Sequence, residues 1–385
     1  MNELHIDKTH WKRTKIGDLL YKTEYNNKEN ASKQYSKFIK MEHLDANSLN
    51  IHRWGDSSVE DIPPTFYKIF KKGQILYPTR NPQLRRAALA SFDGICGEKT
   101  LTLSLIEGCE GYIPFIAHVF HSSKFIEYAT NARIGSTNPH IRWRDVADYE
   151  FLLPPKAEQK RLAELLWAAD EVVEKEKRER DILQNQIQIY INENCNVIGQ
   201  PKIPFSDLVD VNPTTKFDEN EVSLITMPDV SEEGEIMHLE KVVPSDYKNK
   251  GLTPFQENDI LFAKITPCME NGKGAIAKGL INGWGLGSTE FHVLRPKLAS
   301  DLYFCYYLTM SKRFRKLAEK QMTGSAGQKR VQVEFFDFYK LCAPSIDERK
   351  IIGEKLFKMD CSISALKQQI SLSQQIKQEL INKVF

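Results

Sequence analysis

The sequence predicts an α+β chain built twice: two structurally similar globular domains separated by two long antiparallel helices, a coiled-coil spacer with pseudo-twofold symmetry. Three observations predict it. The stretch LLPPKAEQKRLAELLWAAD at 152–170 returns as CAPSIDERKIIGEKLFKMD at 342–360, sharing Pro154 with Pro344, Glu158 with Glu348, Glu164 with Glu354 and Asp170 with Asp360. Each copy opens a long segment nearly free of Gly and Pro, the mark of an extended helix. The stretches preceding the two copies echo one another more faintly, with Phe70, Ile75, Leu76 and Tyr77 matching Phe255, Ile260, Leu261 and Phe262.

Taken in order, residues 1–153 form the first globular domain. KGQILYPT and TLTLSL are rich in β-branched and aromatic residues and predict strands, and IPFIAHVFHSSKFIEYAT predicts a helical stretch. Residues 154–195 form the first spacer helix, starting at prolines that bar helix before them. The second domain, 196–343, repeats the pattern with NDILFAKI, EFHVLRP and DLYFCYYLTMSKRFRKLAEK.

The second spacer helix, 344–385, carries a heptad seam of Ile352, Leu356, Met359, Ile363, Leu366, Ile370, Ser373, Lys377, Leu380 and Val384. Subtracting 190 gives Leu162, Leu166, Ala169, Val173, Glu176, Arg180, Leu183, Ile187 and Tyr190. Polar residues interrupt both seams, so each helix is an imperfect coil alone and should pack on the other. The chain order of domain, helix, domain, helix requires the pair to be antiparallel and brings the C-terminus back to the first domain. At 1.5 Å per residue the spacer would hold the domains roughly 55 Å apart.

Composition narrows the function classes. With 41% hydrophobic and 27% charged residues the chain is an ordinary globular one. The net charge is +2, distributed as +3 over 1–150, −2 over 151–199, −1 over 200–345 and +2 over 346–385. Nucleic-acid binding would therefore depend on local basic clusters. The longest apolar run, Leu302 to Leu308, is far too short for a membrane span, and no secretory leader is legible, so the expected address is the cytoplasm. Seven cysteines, never in C-x-x-C, indicate reduced thiols. His118 and His121 lie close but lack further ligands at metal spacing, and read as a surface or half-buried helix position; no metal is expected.

No catalytic residue is expected either. The Asn-Pro sites read Asn-Pro-Thr-Thr at 212–215 and Asn-Pro-Gln-Leu at 81–84, without the aromatic residue that would stack a flipped adenine. ENGKGAIAKG at 270–279 lacks the G-x-G-x-x-G spacing, and there is no phosphate loop. Pro228-Asp229 followed by Asp246-Tyr247-Lys248 formally fits a loose Mg²⁺-nuclease pattern, though it also reads as solvated loop.

Recognition remains. Arg80, Arg85 and Arg86 crowd a Pro-punctuated loop, and Arg133, Ser136, His140, Arg142 and Arg144 form a second stretch just before the first helix. In the second domain the candidates are Lys264 after its strand, Lys273 and Lys278 in a Gly-rich loop, Lys312, Arg313 and Arg315 in the late helix, and Ser325, Gln328, Lys329 and Arg330 beside Gly324. Arginine forks suit guanine edges and phosphates alike, so these clusters are candidate DNA contacts, with solvated loops as the alternative.

The block Pro-Pro-x-x-Glu-Gln-Lys-Arg-Leu at Pro154–Leu162, with its weaker copy at Pro344–Ile352, resembles the specificity subunits of Type I restriction-modification systems. GSTNP at 135–139 and GSAGQK at 324–329 are similar to the loops that precede the helical regions in that family. The second block departs from the pattern at Ala343, Ser345 and Arg349. The resemblance implies target-recognition domains at 1–153 and 196–343, each reading half of a split double-stranded DNA target, and conserved spacer helices at 154–195 and 344–385. It further implies two docked methyltransferase subunits, restriction-translocase subunits, and no cofactor on this chain, with S-adenosylmethionine, ATP and Mg²⁺ held by those partners. A stand-alone nuclease or methyltransferase, and a coiled-coil protein adaptor, remain as alternatives.

Overall fold

The structure, a computed structural model, describes residues 6–27, 31–135, 137, 139–195, 201–216, 220–247, 250–325 and 327–385. It comprises two compact units, Met1–Lys177 with Gln368–Phe385, and Arg178–Lys367.

In the first unit one four-stranded sheet runs in the order Leu20–Thr23, Thr100–Leu105, Ile75–Pro78, Ala88–Leu89, entirely antiparallel. A second runs Gly55–Asp56, Lys37–Ile39, Gly94–Gly97, Phe66–Phe70, with one parallel pairing in the middle. Lys12–Lys15 pairs with Glu150–Leu153 and ties the start of the unit to the strand that leads into the first long helix. The central strand Ile75–Pro78 is buried along its whole length and so reads as a continuous apolar run rather than an alternation.

The second unit repeats this topology. Val209–Val211, Phe291–Pro296, Ile260–Ala263 and Gly274–Ile276 form the antiparallel sheet. Glu240–Val242, Val222–Ile225, Trp284–Gly287 and Thr253–Gln256 form the sheet with a parallel centre. Lys202–Pro204 pairs with Lys340–Cys342. The fold is α+β, as the strand and helix patterning predicts.

The expected single helical stretch in each domain is broken. Residues 113–121 are helical up to Ser122, whose ψ of 144° is extended, and a new helix runs Ser123–Asn131. Likewise Leu302–Met310 stops at Ser311, ψ 140°, before Lys312–Lys320. The physical reason is the same twice. Each serine hydroxyl donates to the carbonyl three residues back, Val119 or Leu308, and accepts from the amide three residues on, Phe125 or Phe314. It caps one helix by ending the other, and both phenylalanines are fully buried.

The long helices, Lys156–Asn194 and Ile346–Val384, have 39 residues each. Within the first unit their segments run antiparallel, Asp170 meeting Lys377 and Glu176 meeting Gln369. Within the second unit they do so again, with the Lys355 ammonium 4.1 Å from the centre of the Tyr190 ring. Two of the polar interruptions of the seam, Glu176 and Lys377, are therefore buried partners. Glu176 accepts from Gln369 and Ser373, and Lys377 is only 3% exposed. The C-terminal Phe385 lies against Phe115 and Phe151 in the core of the first unit, as the chain order predicts.

Candidate nucleic-acid interface

Each unit closes the end of its buried central strand against a hairpin. In the first, the Thr79 carbonyl accepts from the Ile141 amide at 3.0 Å, Arg80 bridges His140, and Ile134 and His140 exchange backbone hydrogen bonds of 2.9 and 3.0 Å. Asn81 and Arg85, both left-handed at φ 52° and 50°, bracket a single turn over Pro82–Leu84. This folds the loop back so that Gln83 meets Arg133, whose Nη1 lies 3.4 Å from the amide oxygen while its Nε donates to Thr130. Arg80, Gln83, Arg133 and His140 are thus brought together. The Arg80 Nε is buried with no acceptor among the described residues.

Arg85 and Arg86, expected in the same cluster, turn their guanidinium groups toward the protein. Arg85 donates inward to the His121 carbonyl at 2.8 Å and to the Ser123 hydroxyl at 3.1 Å, and burial lowers its pKa. Arg86 donates to the Met41 carbonyl at 3.1 Å. Both forks hold protein loops. Arg142 is clasped bidentately by Asp145 at 2.8 and 3.1 Å, and hydrogen bonding from Arg142 holds that carboxyl below its usual range. Arg144 lies 3.7 Å from the same carboxylate and remains mostly exposed. Ser136 lies outside the described residues.

In the second unit the hairpin pairs Met322–Thr323 with Arg330–Val331. Its return strand meets the end of Ile260–Ala263, the Val331 amide donating to the Lys264 carbonyl at 2.9 Å and the Thr266 amide to the Lys329 carbonyl at 3.0 Å. Gly324 turns the chain at φ 129°, where a Cβ would sit 2.7 Å from the Gln328 carbonyl. Ser325, Gln328 and Lys329 stand exposed on the tip. Arg330 is held by Glu290 through contacts of 2.8 to 3.2 Å, and that hydrogen bonding lowers the Glu290 pKa.

The other candidates lie elsewhere. The Lys273 ammonium donates to the Met227 carbonyl. Lys278 donates to the Tyr303 hydroxyl and sits over the Tyr303 and Phe357 rings, beside the second long helix. Lys312 and Arg313 are exposed and share a shallow hollow with Lys316 and Lys320. Arg315 is buried, its guanidinium 4.4 Å from the Phe262 ring and donating to the Thr309, Met269 and Lys273 carbonyls, and desolvation lowers its pKa to about 10.

Two features escaped the sequence. Glu290 stands alone just before a strand, with no spacing signal linking it to Arg330. His118 and His121 are fully buried rather than half-buried helix positions: His118 contacts Asp170 and the Pro114 carbonyl, and burial pushes His121 down to about 3. Among the described residues no three His, Cys, Asp or Glu side chains are placed to hold a metal. Asp229 of the loose nuclease pattern caps a turn, accepting from the amide and hydroxyl of Thr226, and Lys248 lies outside the described residues.

Residues 192–378 match the Type I restriction modification DNA specificity domain. These 187 residues, just under half of the chain's 385, are similar to that specificity domain. Among its specificity-family relatives in Escherichia coli, the EcoEI specificity subunit is 38% identical over 188 residues, covering 48% of this chain and 31% of the relative. The EcoAI specificity subunit is 40% identical over 184 residues, 47% of this chain and 29% of the relative. The matched part is thus about a third of those relatives' length. A solved Type I S subunit from M. genitalium shares the fold at a TM-score of 0.55 and 15% identity, covering 99% of this chain and 98% of that one. A chain from a structure of type I R-M system assembly and conformational transition does so at 0.57 and 14%, covering 97% of both. No helix among the described residues is long and apolar enough to cross a membrane.

Proposed function

We propose that this chain is the non-catalytic DNA-specificity subunit of a cytoplasmic Type I restriction-modification complex. The recognition domains, 1–153 and 196–343, each read one half of a bipartite duplex target, and the spacer helices, 154–195 and 344–385, fix the gap between the halves. Two methyltransferase subunits dock on the helices and restriction-translocase subunits join them; S-adenosylmethionine, ATP and Mg²⁺ belong to those partners. Arg80, Arg133, His140 and Arg144 in the first domain, and Lys264, Ser325, Gln328, Lys329 and Arg330 in the second, lie on or beside the DNA-facing hairpins. Lys273, Lys278, Lys312 and Arg313 lie outside those hairpins, and Arg85, Arg86 and Arg142 support them indirectly.

The observation that carries this reading is the doubled closure: in both units a central strand end and a polar hairpin are knit together next to basic side chains. Exposed small and basic residues on a fixed loop suit phosphate and base-edge contacts. Two tests apply. The purified chain should shift duplex DNA in a salt-dependent way and show no turnover with Mg²⁺ and a labelled methyl donor; turnover by the chain alone would favour an enzyme. Adding one heptad to both helices should widen the gap in the bound target or abolish binding. An unchanged target at unchanged affinity would refute the spacer role.

A further inference from the structure

The two halves of the chain treat one helix carboxylate, buried at Asp170 and half-buried at Asp360, differently. In the first unit Asp170 receives the Lys377 ammonium at 2.6 Å, the ammonium also donates to the Asn47 carbonyl, and the His118 Nε2 lies 3.3 Å from the other carboxylate oxygen. The repeat maps these positions onto the second unit. At offsets of 189 to 190, Asp170 becomes Asp360, His118 becomes Tyr307 and Lys377 becomes Ile187; at the domain offset of 185, Asn47 becomes Glu232.

One half of the arrangement is kept. The Tyr307 hydroxyl donates to Asp360 Oδ2 at 2.9 Å, as His118 contacts Asp170. The cation is replaced. Ile187 stands where Lys377 would, and among the described residues no ammonium donates to Asp360. Burial would raise both carboxyls; His118 and Lys377 outweigh it at Asp170, which is held low, whereas Asp360 stays raised despite the Tyr307 hydrogen bond and the charge of Lys367.

Beside Asp360, in the second unit, is a cavity of about 500 Å³ bounded by Tyr307, Ile187, Glu232 and Glu233. Its lining holds four carboxylates, Asp181, Glu232, Glu233 and Asp360, against two lysines, Lys312 and Lys367, an excess of two negative charges. Lys367 is drawn to Glu233 at 2.5 Å and lies 3.8 Å from Glu235. The rest of the wall includes Met310 and Ile363, suited to an alkyl chain, and tyrosine rings suited to a cation. The volume falls in the range of small-molecule pockets.

We propose that this cavity binds a small alkyl diamine, one ammonium seated on Asp360 as Lys377 is seated on Asp170, and the other facing Glu232 and Glu233. An anion meets the wrong field. No cluster of three metal-ligating side chains exists among the described residues. The filled counterpart in the first unit is an ammonium on an aliphatic stem, and it defines the chemistry. The site is independent of the DNA-reading role proposed above, and neither fails with the other.

The test is calorimetric titration of the full chain with 1,4-diaminobutane, alongside thermal unfolding. Saturable binding and a rising unfolding temperature are expected. Asp360→Asn, which keeps an acceptor for Tyr307, should weaken binding about tenfold or more, the loss of one charge-assisted hydrogen bond. Ile187→Lys should supply the ammonium from within the chain, raising the unfolding temperature without ligand and removing the response to diamine. The second variant keeps the idea testable if the first folds poorly. No saturable heat, equal stabilisation by sodium chloride at matched ionic strength, or binding retained in both variants would overturn the proposal. Nα-acetyl-lysine amide separates the sources of an alkylammonium: it should bind more weakly than the diamine, and tighter binding would reassign the cavity to a partner's lysine side chain and overturn the diamine.

Discussion

Replacing Lys377 by Met should unfold the first unit far more readily than a surface substitution would. The Lys377 and Asp170 side chains are each 4% exposed, and the ammonium also satisfies the Asn47 carbonyl. Methionine keeps most of the aliphatic stem, so the change removes charge and hydrogen bonding rather than packing. Breaking one partner of a buried pair leaves an uncompensated charge at a cost of about 3–5 kcal/mol. Asp170→Asn should also destabilise, and the double variant should lose clearly less than the two single losses added together, because the surviving charge no longer lacks its partner.

Urea unfolding followed by tryptophan fluorescence is the assay, since Trp11, Trp54, Trp143 and Trp167 lie in the first unit and only Trp284 in the second. The pH dependence has a definite sign. Asp170 is held below its ordinary value in the folded chain, so its stabilisation is present above the unfolded carboxyl pKa, near 3.9, and is lost as pH falls through the folded one. Without Lys377 only His118 opposes burial, the folded pKa rises, and the variant has less stabilisation left to lose as pH drops. The gap between wild type and Lys377→Met should narrow from neutral pH to acid. A gap within about 1 kcal/mol, the range of exposed pairs, and flat with pH, would refute the reasoning.

Arg349→Gln should cost the second unit about 3–5 kcal/mol in urea unfolding, because it strands Asp301, 1% exposed and bound bidentately at 2.8 and 3.0 Å; adding Asp301→Asn should recover much of the loss. Ser122→Ala and Ser311→Ala should each cost about 1 kcal/mol, equally in their two units, through loss of a helix cap. Gly353→Ala should lower the melting temperature despite a helix-propensity gain of about 1 kcal/mol, because its Cβ would fall 2.7 Å from the Phe304 amide nitrogen. Lys329→Ala should weaken DNA binding evenly across sequences and reduce the salt slope by about one, whereas Arg85→Ala should lower stability, both readable from salt-titrated gel shifts and melting curves.

Periodic features were the legible ones. A heptad seam sums weak signals over many turns, so Ile352, Leu356 and Ile363 disclosed their buried face, and a 190-residue repeat doubled the signal. Point features were not legible. Ser122 and Ser311 break helices through single hydroxyls inside strongly helix-patterned stretches, where the apolar period continues undisturbed. The inward turn of Arg85 depends on a left-handed residue at its own position, a conformation Arg rarely adopts and no local pattern announces. Charge clustering in the sequence therefore overstated the exposed basic surface, since Arg85, Arg86 and Arg315 are spent on carbonyls of the fold.

The repeat also separates what the architecture requires from what each half can vary. Gln159 and Arg349 occupy matching positions, and each donates to the carbonyl of the proline five residues earlier, Pro154 or Pro344. The arginine brings a charge the glutamine lacks, and the second unit supplies buried Asp301 to meet it. The change from glutamine to arginine at Arg349 is thus a compensated one. The same logic applies where the hairpins meet the central strands. Backbone hydrogen bonds from Ile141 to Thr79 and from Val331 to Lys264 fix one geometry twice. The side chains hung on that geometry differ, Arg80 and His140 in one unit, Ile265 and Arg330 with its Glu290 clasp in the other. Under the proposed reading role, a shared frame carrying unlike donors is what two reading heads with unlike half-sites would require. Grafting the 324–330 tip of the second unit onto Ile134–His140 of the first should therefore move base preference without disturbing the strand pairing beneath it.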